Sequence, residues 1–275
     1  MPRGFRSDTL AVVVTTAATY VFNANSLPQG GIKQLHILVT GANNILDTGV
    51  IDLVIVKLEG VEVLNLRGPQ LRVLLEGMRI SSTITPAGAL YWSIPMDLPS
   101  SLSGVWPMTA GVSGIPFGLN VSVEVTVTAG SSAGTLQIGW TSLDAPPSYM
   151  FKCCKQAWGV GAAATQPVPV NYGQNDVLGL IYCNAATHLA ALRMVSRLGD
   201  GREFQVSYMT TLMMSGLMEN HSPRTVIDPC LYLLEHPYKF PANSYYEIQN
   251  GAGGAVGDEF ATLQVVDVRP ATPGA

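Results

Sequence analysis

The side chains best suited to metal binding are scattered along this chain. The four histidines are His36, His188, His221 and His236. They form neither an H-x-H nor an H-E-x-x-H motif, and a metal site of the kind found in enzymatic jelly rolls needs histidines clustered on neighbouring strands. The four cysteines include no C-x-x-C pair and stand at no zinc-ligand spacing from a histidine. We therefore expect no metal site and no cofactor.

Candidate nucleophiles and catalytic acids are equally isolated. Cys153 and Cys154 are adjacent, so on a strand they point to opposite faces, and only a coincidence of the fold would bring His188 within reach. Glu124 and Glu247 are a tempting carboxylate pair for glycoside hydrolysis, but they stand at matching positions of an internal repeat and would lie in separate barrels. We predict that the protein is not an enzyme.

The glycine-rich run Gly251–Gly257 imitates a phosphate-binding loop. Such a loop must lead from a strand into a helix, whereas this run joins two predicted strands and is predicted to be a hairpin loop. Calcium could use Asp47 and Asp52, or Asp258 and Glu259, but neither set offers enough oxygens at regular spacing. A structural ion at a subunit contact remains an alternative.

Composition indicates a chain that hides much of its surface. Hydrophobic residues make up 47% of the sequence and charged residues only 12%, about half the usual charged share of a soluble domain. Subunit contacts would explain so uncharged a surface. The net charge of −4 gives no basis for specific nucleic-acid binding, and the only local basic excess is Arg3 and Arg6 near the N-terminus.

The second half of the chain echoes the first. Leu74–Met78 is echoed by Met213–Leu217, and Lys57–Glu62 by Arg197–Glu203. Asn120 and Glu124, which precede Thr135–Ile138, are echoed by Asn243 and Glu247, which precede Thr262–Val265. Repeats of this length suit two similar domains rather than the short units of a solenoid. The first half also carries an extra loop, Pro99–Gly118, that the second half lacks.

Strands with turn residues between them dominate the local patterns. Val121–Thr128 alternates valine with polar residues, which is the pattern of a half-buried antiparallel strand. Each half has about eight such segments and one short helical pattern. The first helix is predicted after Pro69 from Leu71, Leu74, Leu75 and Met78; the second is predicted from Met209, Leu212, Met213 and Leu217. The counts predict an all-β sandwich or jelly roll.

The N-terminal apolar segment is predicted to be a strand. Leu10–Phe22 follows Arg3 and Arg6, as the apolar region of a signal peptide follows its basic residues. However, Asp8 lies between the arginines and this apolar segment, and Val12–Val14 favours a strand. No apolar run reaches the length of a membrane-spanning helix. We expect reduced cysteines and synthesis in a cytoplasm. A disulfide between Cys183 and Cys230 is the alternative for those two residues.

The extra loop supplies the strongest candidate for a subunit contact. It contains Val105-Trp106-Pro107-Met108, an apolar stretch that is costly to leave in water. We predict that Trp106, Pro107 and Met108 contact another subunit; the alternative is that the loop packs on its own barrel.

These features together resemble the double-jelly-roll major capsid proteins of tailless icosahedral viruses, especially the small versions in membrane-containing bacteriophages of the PM2 type. The resemblance covers Leu10 to Val268 and depends on the paired hairpins, the paired helices and the Asn120/Glu124 and Asn243/Glu247 strands. It implies two tandem eight-stranded jelly rolls, each with one short helix, in a homotrimer that forms a pseudo-hexameric capsomer of the virion shell. It also implies minor capsid or penton proteins as partners.

The resemblance divides the chain into an N-terminal arm (1–8), a first jelly roll (9–145), a second jelly roll (146–270) and a tail (271–275). The arm, with Arg3 and Arg6, would reach the inner face of the shell. Whether an internal viral membrane lies there is left open. The alternative is a tandem β-sandwich module that binds carbohydrate or a cell surface, for which exposed aromatic residues and a secretion signal are expected. An enzymatic jelly roll would require a cluster of histidines or carboxylates.

Overall fold

The computed structural model describes most of the strands of the chain. The residues described are 5–6, 12–14, 18–23, 27–40, 51–77, 83–84, 90–96, 113–127, 134–157, 165–169, 175–182, 189–197, 203–205, 209–210, 230–240, 244–251 and 258–268. They separate into two compact units, Met1–Cys153 with Val265–Ala275 (the first unit) and Cys154–Gln264 (the second unit). The domain limits inferred from the sequence stay a prediction.

The described part of the chain is almost entirely strand. Its elements in chain order are β1 (Phe5–Arg6), β2 (Val12–Val14), β3 (Ala18–Phe22), β4 (Ile32–Thr40), β5 (Ile51–Leu58), β6 (Val61–Arg67), α1 (Gly68–Gly77), β7 (Thr83–Ile84), β8 (Leu90–Pro95), β9 (Val121–Val127), β10 (Gly134–Ser142), β11 (Tyr149–Ala157), β12 (Thr165–Pro169), β13 (Asp176–Tyr182), β14 (Leu189–Arg197), β15 (Glu203–Gln205), β16 (Met209–Thr210), β17 (Cys230–Tyr238), β18 (Tyr245–Asn250) and β19 (Glu259–Asp267).

The strands of the first unit have the connectivity of a jelly roll. One sheet runs β2-β10-β4-β8, with β1 also paired to β10 and β7 to β8. The other runs β6-β5-β9-β3. Counting the eight principal strands β2, β3, β4, β5, β6, β8, β9 and β10 in chain order, the first sheet is first-eighth-third-sixth. The second sheet is second-seventh-fourth-fifth. Two such four-stranded antiparallel sheets form the jelly roll.

The second unit repeats that order strand for strand. Its sheets run β11-β19-β13-β17 and β12-β18-β14-β15, with β16 also paired to β14. In chain order these are again first-eighth-third-sixth and second-seventh-fourth-fifth. Glu124 on β9 and Glu247 on β18 occupy the same place in the two repeats, as predicted. The all-β class and the jelly-roll architecture are confirmed.

The core of the first unit is built from the inward faces of its two sheets. On β9 every second residue is buried, which confirms the alternation read from the sequence: Val121, Val123, Val125 and Val127. The facing sheet contributes Leu35, Ile37, Val39, Trp92, Ile94, Leu136, Ile138 and Trp140, all nearly inaccessible. Burial of these side chains is the main favourable contribution to folding.

A tight hairpin and a capped helix follow each other in the first unit. The β5–β6 turn places Glu59 at φ 48° and Gly60 at φ 82°, the left-handed pair of a type I′ turn. Helix α1 then begins at Gly68, one residue before the predicted Pro69. The buried Gln70 side chain accepts a hydrogen bond from the Arg67 backbone N–H at 2.8 Å, closing half of a capping box.

Several predicted elements differ from the structure near the ends of the sheets. Leu10–Phe22 was expected to be one strand, but β2 pairs with β10 and β3 pairs with β9, in different sheets. The second predicted helix begins at Met209, yet Met209–Thr210 form β16 against β14, because strand pairing overrides a helical spacing of methionines. The remainder of that helix, Leu212–Leu217, lies outside the described residues.

Two further differences concern turn and arm residues. Phe5 and Arg6, expected in the N-terminal arm, pair with Thr141 and Trp140 as β1. The run Gly251–Gly257 was predicted to be a hairpin loop. That prediction is wrong because β18 and β19, the strands on either side of the run, lie in different sheets. No helix among the described residues is long and apolar enough to cross a membrane.

Candidate assembly surfaces

Side chains that could do chemistry stay apart in the structure. No group of three or more His, Cys, Asp or Glu residues within the described ranges could hold a metal ion. Cys153 is buried, and Cys154 is half-buried on the same strand. Of the candidate calcium ligands, Asp52 faces Arg67, with 3.6 Å between Oδ1 and Nη1, and Glu259 pairs with Lys155. His188, His221, Asp47 and Cys183 lie outside the described residues.

The outer face of the sheet β6-β5-β9-β3, hereafter the outer face, is the best-defined surface of the first unit. It carries the side chains that alternate with the buried ones: Thr19, Val21, Leu53, Ile55, Lys57, Glu62, Asn65, Arg67, Ser122, Glu124 and Thr126. Apart from the exposed Thr19, Val21 and Arg67, these side chains are partly shielded from solvent.

Charges on the outer face compensate each other across the strands. Lys57 Nζ donates a hydrogen bond to Glu124 Oε1 at 2.6 Å, and this bond, more than the charge attraction, raises the pKa of Lys57 above its ordinary value. Asn65 Nδ2 donates to Glu62 Oε2 at 2.7 Å. Pairs that solvent still reaches, as here, add little stability. Their effect is that the outer face presents Lys57 and Glu124 as a pair and not as two single charges.

A second polar contact fastens the hairpin tip to the start of β9. The Glu59 carboxylate accepts from the Asn120 backbone N–H at 2.6 Å and from Asn120 Nδ2 at 3.2 Å, and the Glu59 N–H donates to the Asn120 carbonyl. The backbone hydrogen bond from Asn120 is the main cause of the lowered pKa of Glu59. Asn120 was noticed in the sequence as part of the repeat; its role in holding the hairpin was not foreseen.

Exposed apolar side chains occur at three described positions of the first unit. Val21 is 59% exposed on β3, Val61 62% at the hairpin and Phe117 52% in the segment before β9. The Phe117 ring covers Gly31: a Cβ added at Gly31 would lie only 2.5 Å from the Cε1 atom of that ring. Single exposed apolar residues of this kind are ordinary on a protein surface.

The second unit carries its own internal ion pair. Lys155 on β11 donates to Glu259 on β19 at 2.6 Å, and Asn175 Nδ2 donates to Gln264 Oε1 at 2.9 Å. Both side chains of the ion pair are mostly buried. Strand β19 is buried on both faces from Phe260 to Val265. These contacts hold the polar groups of β19 in hydrogen bonds to β11 and to the residue before β13.

His36, a histidine of the first unit, has a lowered pKa. It is 6% exposed on β4, and its Nε2 lies in hydrogen-bond contact with Thr141 Oγ1 at 2.8 Å. Burial lowers the pKa of His36 because the charged ring would lose its hydration. The ring is therefore a structural histidine of the sheet.

Lowering the pH below about 6.5 should destabilise the protein through His36. The unfolded chain takes up a proton there while the folded chain resists it, so this contribution is complete above that pH and is lost as the pH falls toward the lowered pKa. We expect the urea midpoint to fall between pH 7.5 and pH 5. The fall should be smaller in His36→Gln, which keeps a hydrogen-bonding side chain without the titration. Equal falls in both proteins would contradict this role of His36.

The predicted subunit contacts are placed only in part. Trp106, Pro107, Met108 and Arg3 lie outside the described residues. Arg6 belongs to β1, where its backbone is in register with Trp140. No described contact brings these residues together, and they remain predictions.

Comparison with known proteins gives matches in structure only. No protein-family model matches the chain, and no curated protein matches it. Among solved structures, a chain of the Sulfolobus turreted icosahedral virus superposes with a TM-score of 0.66 and 10% sequence identity. The match covers 96% of this chain and 91% of that chain.

Two further viral capsids match over the same extent. The major capsid protein of bacteriophage PM2 has a TM-score of 0.63 at 11% identity, covering 95% of this chain and 97% of that chain. A chain of the PBCV-1 virus capsid has a TM-score of 0.53 at 8% identity, with 96% and 94% coverage. The chain has the double-jelly-roll fold of viral major capsid proteins. The double jelly roll accounts for the repeated strand order, and for why matched positions such as Glu124 and Glu247 fall in different units.

Proposed function

We propose that this double-jelly-roll protein is the major capsid protein of a tailless icosahedral virus and that its role is structural. The observation that carries the proposal is the repetition of one eight-stranded connectivity within a single chain. It is supported by the similarity in fold to capsid proteins along nearly the whole chain. The ion pairs Lys57–Glu124 and Lys155–Glu259 each join neighbouring strands, which is a structural use of charged side chains. A shell protein requires no catalysis.

The proposed assembly is a homotrimer with a pseudo-hexagonal outline. Two similar barrels per chain, 9–145 and 146–270, give six in three copies, which is the tile that a closed icosahedral shell needs. A ring of three copies requires a heterologous contact, in which one surface of a chain meets a different surface of the next. The low charged fraction of 12% fits surfaces that become buried in this way.

Specific residues are proposed to make the contacts. Trp106, Pro107 and Met108 in the extra loop would bury apolar surface against a neighbouring subunit. The N-terminal arm, including Arg3 and Arg6, would lie at the inner face of the shell, next to minor capsid or penton proteins or an internal membrane. The protein would be made in the host cytoplasm, with no cofactor and no specific nucleic-acid binding.

Native mass measurement with negative-stain imaging tests this proposal. We expect the purified protein to form a particle of three 29.2 kDa chains with a hexagonal outline, or closed shells. A concentration series decides whether the contact is real, because a specific trimer gains population with concentration. A chain that stays monomeric at the highest attainable concentration would contradict the capsid proposal.

A further inference from the structure

The two repeats differ in the backbone hydrogen-bond donors of one corresponding edge strand. β3 ends the sheet β6-β5-β9-β3 of the first unit, and β12 ends the sheet β15-β14-β18-β12 of the second unit. Val21 on β3 is in register with Glu124, and Pro167 on β12 is in register with Glu247. Because Glu124 and Glu247 are equivalent, Val21 and Pro167 are equivalent too.

Prolines close the edge of the second unit. Pro167 and Pro169 have no backbone N–H, so they can stand only where a strand residue would point its N–H away from its partner, here β18. The outward side of β12 therefore lacks two of its hydrogen-bond donors. Proline on an edge strand is a known means of preventing a further strand from adding.

The equivalent edge strand of the first unit, β3, has a backbone N–H donor at every residue. β3 reads Ala18-Thr19-Tyr20-Val21-Phe22 and contains neither proline nor a charged residue. By equivalence with Pro167, the Val21 N–H points away from β9, and the Val21 side chain is 59% exposed. Within the described part of the chain no strand covers this side of β3. A neutral, proline-free edge favours pairing with another strand.

We propose that the free edge of β3 is a subunit contact at which a strand from a second copy of this chain adds by backbone hydrogen bonds, while Pro167 and Pro169 keep the corresponding edge of β12 from doing so. The inference rests on the proposed homo-oligomer. It makes the two jelly rolls of one chain unequal: one offers an open edge to a neighbour and the other does not. A heterologous ring contact joins two different surfaces of the chain, and the open edge of β3 would be one of them.

Charge identifies the occupant as another copy. The outer face next to β3 presents Thr19, whose hydroxyl bonds that of Thr126 at 2.9 Å, and Glu124, whose charge is paired with Lys57. A basic or acidic partner would find no single charge to neutralise there. A partner as poor in charge as this chain fits the surface best, and the copies themselves meet that condition.

The test exchanges the two edges. Val21→Pro gives the first repeat the residue that the second repeat carries at the same place, so the fold should accept it, as unchanged circular dichroism and urea midpoint would verify. We expect at least a tenfold weaker self-association by sedimentation velocity. We also expect faster hydrogen exchange of the β3 amides than in the assembled wild type. Val21→Thr, which keeps the donor, should associate like the wild type, and Val21→Lys should weaken association as the proline does.

The outcomes separate this inference from the assembly itself. If the wild type forms trimers or shells and Val21→Pro does so with equal affinity and equal β3 exchange, the edge contact is wrong while the proposed function stands. If the wild type never associates, both are wrong. If Val21→Pro unfolds the protein, Val21→Lys at the same exposed position decides, and its normal association would overturn the proposal.

Discussion

Gly30→Ala is expected to destabilise the first unit by about 3–5 kcal/mol, because the substitution combines steric overlap with backbone strain. Gly30 has φ 66°, and an added Cβ would lie 1.8 Å from the Pro116 carbonyl oxygen. The two segments around residues 30 and 116 are joined by the Gly31 N–H, which bonds the Ile115 carbonyl at 3.0 Å, so they cannot separate without losing hydrogen bonds. Urea unfolding followed by tryptophan fluorescence measures the change.

Gly118→Ala is the matched control for Gly30→Ala. Gly118 belongs to the same pair of segments, has φ 81°, and has no atom within 4 Å of the added Cβ. Only backbone strain remains there, which costs about 1–2 kcal/mol for a left-handed residue. Similar losses at Gly30 and Gly118 would show that the close approach to Pro116 contributes nothing.

Trp92→Ala is expected to cost about 3–5 kcal/mol, in the range of large-to-small core substitutions. Trp92 is fully buried on β8, in register with Ile37 of β4. Its ring also lies against α1: a Cβ at Gly68 would be 3.6 Å from the ring. Removing the indole leaves a cavity where sheet and helix meet. Thermal and urea unfolding would report the loss, and a change below 1 kcal/mol would contradict this central position.

Trp92→Phe separates packing from hydrogen bonding at the same place. The buried Trp92 Nε1 has no acceptor among the described residues, and an unsatisfied buried donor costs about 1–3 kcal/mol. Phenylalanine keeps much of the apolar volume and removes that donor, so we expect a much smaller loss than for alanine. If both variants were equally destabilised, the unpaired N–H would have no energetic cost.

Periodicity in the sequence was enough to predict the first unit's elements closely. The valine alternation of β9 and the helix α1 after Pro69 both express local rules, of burial in the first case and of helix entry in the second. The repeat was also visible, since equivalent strands face equivalent surroundings. The paired glutamates were correctly assigned to separate units on that basis.

Other features depended on pairing across long sequence distances and could not be found locally. β12 was missed because its prolines argue against a strand, yet an edge position tolerates them. Leu10–Phe22 was treated as one strand because nothing in it marks where the chain leaves one sheet for the other. Met209–Thr210 followed a helical spacing but pairs with β14.

The sequence by itself determined that this is a duplicated, all-β chain with few charged residues, because composition and periodicity are properties of the chain alone. Only the tertiary structure decided which strands are neighbours. That order alone shows that Val21 and Pro167 occupy equivalent sheet edges and that Lys57 neutralises Glu124. Hydrogen bonds between strands join residues far apart in the chain, so edges and paired charges exist only once the sheets have formed.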